Sequence, residues 1–141
     1  MVYQMQEACL TLDDTWQDQS VNVLIPTELA TKGVSLVVAR DVIPFGMTLA
    51  EYLEQQKSTF QKELAEFELM LDAPGSVDHR PAHFLEFSWN NNGKLLQQMV
   101  IVVQDNNRTL SLTGTIPGKS DQDIRGFLLS AMTSLKFNPS H

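Results

Sequence analysis

Two asparagine-rich turns constrain this chain more than any other feature. Asn91-Asn92-Gly93 and Asp105-Asn106-Asn107 separate three apolar, strand-length runs at about 82–90, 94–104 and 108–116. Asn, Asp and Gly tolerate the left-handed backbone of tight turns, so each tract is a strong hairpin signal. Two successive hairpins make the three runs antiparallel neighbours, and Pro117-Gly118 closes the last strand.

Helices flank this meander. Thr48 followed three residues later by Glu51 is a capping box, in which two side chains satisfy backbone donors that the first helical turn leaves orphaned. It predicts a helix over about 48–71, ended by Asp72-Ala73-Pro74-Gly75. Ser120 caps a second predicted helix at about 121–135, with Asp123 at the box position and Lys136 favouring the C-terminal dipole. Upstream, residues 2–10 read as a weak strand and residues 20–25 as a β-branched strand stopped by Pro26. Residues 34–39 read as a strand buried on both faces. The predicted order is βββ-α-βββ-α. This is an α+β class with an antiparallel six-stranded sheet and flanking helices, taken as one domain over 1–141.

Composition excludes several functions. The 43% hydrophobic content supports a packed core, and the formal charge of -7 repels phosphate backbones and anionic headgroups. Nucleic acid and peripheral membranes are therefore disfavoured as partners. No run approaches the roughly 20 apolar residues of a membrane span, and the start lacks a basic leader. The expectation is a soluble cytoplasmic protein, not itself inserted in a membrane. The single cysteine, Cys9, rules out an internal disulfide framework.

Catalytic constellations are missing. His79 and His83 are four apart, but Pro81 between them argues against one helix face, and no third metal ligand is near. Turn or surface histidines are the simpler reading, and His141 is terminal. Cys9 has no basic neighbour to lower its thiol pKa and reads as a small buried strand residue. No phosphate loop, nucleophile elbow or dinucleotide fingerprint occurs. The expectation is a non-enzyme with no metal and no cofactor.

Glutamines in apolar rows are the informative oddity. At 100° per residue, Leu49, Leu53, Phe60, Leu64, Phe67 and Leu71 fall on one stripe of the first helix, and Gln56 lies in its middle. A buried amide left unpaired costs about 1–3 kcal/mol. Gln56 must pair internally, reach water, or face a surface that something else covers. The run 94–104 repeats the pattern: Leu96, Gln98, Val100 and Val102 share one face, and Leu95, Gln97, Met99, Ile101 and Val103 the other. Helices on both sides explain the apolar residues. A face left uncovered would instead bind apolar segments. Val21, Val23 and Ile25 form a further same-face apolar row.

These residues carry a resemblance. Trp16-Gln17-Asp18-Gln19-Ser20-Val21-Asn22-Val23 is similar to the opening signature of the Eag chaperones, in the DcrB-like (DUF1795) group. The similarity continues through Ser35-Leu36-Val37-Val38-Ala39-Arg40-Asp41, the Tyr52…Gln55-Gln56 helix, and Phe87-Ser88-Trp89 ahead of Gln97-Gln98. It implies a PsbP-like α/β/α arrangement and a cytoplasmic, non-catalytic chaperone of type VI secretion effectors, usually a homodimer. Its client is the N-terminal transmembrane region of an effector, beside a PAAR domain in PAAR/Rhs-type proteins, shielded until loading onto the secretion spike. The matching client-binding positions are Val21, Val23, Gln56, Leu64 and Gln98, with Leu96 or Leu95 as the hairpin leucine. The rival reading is a carrier or sensor of a small apolar ligand.

Overall fold

A computed structural model describes residues 2–119 and 121–138. The predicted meander is present and longer than expected. Strands β6 (Arg80–Asn91), β7 (Lys94–Asp105) and β8 (Arg108–Pro117) pair antiparallel through both asparagine turns. Asn92, Gly93 and Asn106 take positive φ, the backbone these residue types were expected to supply.

Three further strands complete the main sheet. They are β3 (Asn22–Leu24), β4 (Ser35–Val42) and β5 (Glu68–Val77), in the order β3-β4-β8-β7-β6-β5, every pairing antiparallel. The expected early strand is instead a separate hairpin of β1 (Val2–Gln4) and β2 (Cys9–Thr11). The Tyr3 hydroxyl bonds Ser20 Oγ at 2.6 Å and Asp18 Oδ1 at 3.3 Å, joining the hairpin to the 16–20 segment. Cys9 is exposed on this hairpin, not buried, because β2 pairs only with β1.

The larger correction concerns the first helix. Helix α1 spans Leu49–Glu63, and the residues expected to extend it to 71 become the start of β5. The capping box forms as predicted, with Glu51 N–H donating to Thr48 Oγ1 at 3.2 Å and Thr48 N–H to Glu51 Oε1 at 3.1 Å. Leu64 is already extended and Glu66 has φ 55. From there Glu66-Phe67-Glu68-Leu69 alternates polar and apolar, and ladder pairing with β6 wins over helical periodicity. Pro74, expected to stop a helix, sits inside β5, which forms the sheet edge, where a missing amide is tolerated. The turn from β5 to β6 is Asp78-His79, both at positive φ, so His79 is a turn residue.

Helix α2 spans Gln122–Thr133. Its N-cap is Asp121, whose carboxylate accepts the amides of Asp123 and Ile124 at 2.9 and 3.2 Å. The expected cap, Ser120, and the terminal His141 lie outside the described residues. Lys136 falls beyond the helix, and the last turn holds no basic residue.

The two helices pack on opposite faces. On the α2 face, Met99, Ile101, Val103, Leu112 and Ile116 are buried with Leu128 and Met132. Gly114 lets α2 approach closely: a Cβ there would lie 3.1 Å from Met132 Sδ. On the α1 face, Leu85, Phe87, Val100 and Val102 are buried with Ile43, Tyr52 and Leu53. Phe60 and Phe67 each pack at a tilt against Phe87 with ring centroids 5.1 Å apart. Helix α1 thus covers β6 and β7. The result is an α+β, helix–sheet–helix architecture.

Candidate functional site

Because α1 covers two strands of six, the same face of β8, β4 and β3 stays open. The register places Ser111, Thr113 and Thr115 of β8 beside Ala39, Val37 and Ser35 of β4, and Val23 of β3 beside Val37. All six β4 and β8 residues are half-buried. Val23 is 61% exposed and Val21, just outside β3, 57%. Residue 34–39 burial therefore differs by face: Leu36 and Val38 pack towards α2, whereas Val37 and Ala39 line the open side.

A cavity of about 270 Å³ lies where α1 meets this open face, lined by Tyr52, Gln56, Phe60, Val100, Val102, Ala39, Ser111 and Thr113 among others. Its walls mix apolar side chains with Gln56, Ser111 and Thr113, and Arg40 and Asp41 also line it. Tyr52 Oη donates to Asp41 Oδ2 at 2.9 Å; burial, then this carboxylate, pushes the phenol pKa up. On the other flank Lys57 bonds Asp72 at 2.7 Å, and Asp72 also takes His83 Nε2. The Lys57 ammonium, then His83, holds the Asp72 carboxyl below the usual range. These contacts fix α1 to β4 and β5.

The sequence-predicted residues distribute unequally about this site. Gln56 lines the cavity half-buried, with no side-chain hydrogen bond among the described residues. Val23, Leu96 and Gln98 share its sheet face. Leu96 pairs with Trp89 on the α1 side, whereas Leu95 pairs with Asn90 on the opposite side, so Leu96 is the leucine aligned with Gln98. Gln98 is partly spent: its Oε1 accepts Trp89 Nε1–H at 2.8 Å and its Nε2 donates to Thr115 Oγ1 at 2.9 Å. One amide hydrogen and one lone pair remain. Leu64 caps α1 and packs under the helix on the buried cluster, away from the cavity lining. Leu71 is on β5, not the helical stripe.

The opposite face is closed by a polar network. Glu86, 6% exposed, accepts Arg125 Nε and Nη2 at 2.9 and 2.8 Å and Gln97 Nε2 at 2.5 Å. The Arg125 guanidinium holds the Glu86 carboxyl below its ordinary value despite burial. Gln97, one of the odd amides, is thus a buried structural partner. Glu86–Arg125 joins residues 39 apart in sequence, which periodicity does not reveal.

The β8 hydroxyls were missed in the sequence, although Thr109-Leu-Ser-Leu-Thr-Gly-Thr-Ile116 alternates strictly and signals one polar and one apolar face. Two larger recesses, each about 360 Å³, lie elsewhere: one among Arg40, Arg108, Lys136, Asp18 and Asp105, the other beside Tyr3, Leu10 and Trp16. Neither gathers the predicted residues. Among the described residues no group of three or more metal-ligating side chains occurs, and no helix is long and apolar enough to cross a membrane.

A six-stranded antiparallel sheet clasped by two helices, with half of one face uncovered, matches a defined class. The DcrB family model fits residues 7–134, and the chain belongs to that family. It is similar to the protein named Effector EagT6 of Pseudomonas aeruginosa, at 29% identity over 103 residues, covering 71% of this chain and 72% of that one. A crystal structure of PA94, a protein of unknown function from the same organism, superposes with a TM-score of 0.79 at 24% identity, covering 99% of this chain and 97% of that one. The PsbP protein of Synechocystis shares the fold at a TM-score of 0.54 and 11% identity, over 89% and 96% of the two chains.

Proposed function

We propose that this protein is a cytoplasmic chaperone and adaptor for a type VI secretion effector. It holds the N-terminal transmembrane segments of a PAAR-containing client against its open sheet face until loading, works as a homodimer, and catalyses no reaction. One observation carries the reading: in a DcrB-family chain similar to EagT6, Val23, Gln56, Leu96 and Gln98 flank a sheet face that the chain's own helices leave uncovered.

The physics favours such a client. An apolar helix in water aggregates, so a holding surface must replace lipid contacts with apolar side chains. Three strands, β3, β4 and β8, present a floor about 10 Å across between outer strand axes. That matches the roughly 10 Å diameter of one helix. Exposed Val21 and Val23 form its outer apolar rim, and the unspent amide of Gln56 answers polar groups that an aliphatic wall leaves unpaired. The -7 charge supports solubility while the surface is empty. A small apolar ligand fits this particular cavity less well, since it is below the usual 300–1,000 Å³ and opens onto the sheet face.

The test is co-expression with the N-terminal fragment of a candidate PAAR effector. The fragment should be soluble and co-purify only when this protein is present. Equal solubility of the fragment without it would overturn the reading.

A further inference from the structure

We propose that Ser111 and Thr113 form a specificity seam, selecting client helices that carry a stripe of serine or threonine over purely aliphatic ones. The inference rests on the client-helix reading above and names two residues of β8 that the reading leaves without a role.

The seam follows from the register. Strand β8 buries Leu112 and Ile116 against α2, so its alternate residues Ser111 and Thr113 must face the open side. There they lie between two apolar rows. Val37 and Ala39 of β4 stand on one side, and Val100 and Val102 of β7 on the other, directly opposite in the ladder. Because α1 buries Val100 and Val102, the seam is a polar strip along the inner border of the open floor, with Val37 and Ala39 beyond it.

Its hydrogen-bonding capacity is unspent. Thr115, next along the same row, accepts the Gln98 amide at 2.9 Å. Neither the Ser111 nor the Thr113 hydroxyl has a side-chain partner among the described residues, and both line the cavity that Gln56 also lines. While the face is open, water satisfies them. A helix laid on the floor expels that water, and an aliphatic helix leaves both hydroxyls unpaired. A serine on the helix bonds its own backbone and still has a lone pair to accept from Ser111 or Thr113. Its small size also allows close approach. Recovering one net hydrogen bond corresponds to about tenfold in affinity.

The test is competition between two co-expressed probes. Each is a 20-residue Leu/Ala helix fused ahead of the same soluble carrier; in one, serines replace alanines along a single face. Limiting full-length chain is purified without detergent, and the captured ratio is read by mass spectrometry. The wild type should capture the serine probe in about tenfold excess. The Ser111→Ala/Thr113→Val double variant should bring the ratio near one with the melting temperature unchanged, and Thr113→Ser alone should keep the preference. Equal capture by the wild type, or a preference surviving in the double variant, overturns the seam while leaving the holding function standing. Capture of neither probe overturns the holding function, and the seam with it.

Discussion

Arg125→Met tests how the closed face is held. The guanidinium supplies two charge-assisted hydrogen bonds to Glu86, leaving Gln97 as the carboxylate's other side-chain partner if removed. The Glu86 side chain is 8% exposed and that of Arg125 28%, so the pair is desolvated mainly on the carboxylate side. Breaking a fully buried pair costs about 3–5 kcal/mol. Partial exposure of the arginine places this one at the lower end, about 3 kcal/mol. For a chain of this length the unfolding entropy is about 0.3 kcal/mol per kelvin, so the melting temperature should fall by about 10 °C at pH 7. The pH dependence gives a second, sharper readout. In the wild type the folded Glu86 pKa is depressed, so its stabilisation is present above the unfolded value of about 4.3 and is lost as pH falls through the folded value. In the variant, burial without the guanidinium pushes that pKa up, and protonation relieves the penalty. The gap between the two proteins should therefore shrink from pH 7 to pH 4 in calorimetric scans. A fall below 3 °C at pH 7, or a gap that ignores pH, would refute the reasoning. Client capture should survive at temperatures where the variant is folded, since the network lies on the face away from the site.

Three further outcomes are expected. Val21→Ser with Val23→Ser removes apolar surface that is already exposed, so unfolding free energy should change by less than about 0.5 kcal/mol per site while client co-purification falls several-fold. Gly33→Ala should lower stability by more than about 1 kcal/mol in denaturant titration, because φ is 74° and the new Cβ would lie 2.9 Å from Pro117 Cγ. Pro74→Val should promote self-association, read by sedimentation. Counted from the two-residue turn at Asp78-His79, residues 72, 74 and 76 aim their backbone groups at the open edge, and proline withholds a donor at the centre of that row.

Legibility varied with the range of the controlling interaction. The asparagine turns and the capping box act within four residues, and both formed as read. The end of α1 did not, because Leu64, Phe67 and Leu71 continue the helical period while Glu66 to Leu69 also fits a strand. A ladder of nine residue pairs with β6 decided between them. The two odd amides on β7 looked alike in sequence, yet Gln97 pairs with buried Glu86 and Gln98 bridges Trp89 to Thr115. Their partners lie on other elements, beyond any periodicity.

Sequence alone determined which residues share a face: Val23 apart from Leu24, Gln98 apart from Gln97, and the hydroxyls of β8 apart from its leucines, since strand period is a local property of the backbone. It did not determine what covers each face. That depended on α1 stopping at Glu63 and settling over β6 and β7, and on α2 closing the other side through Arg125 and Glu86. Coverage is set by contacts between elements far apart in the chain, so only the tertiary structure could leave β3, β4 and β8 bare on one side and turn ordinary strand residues into a candidate binding surface.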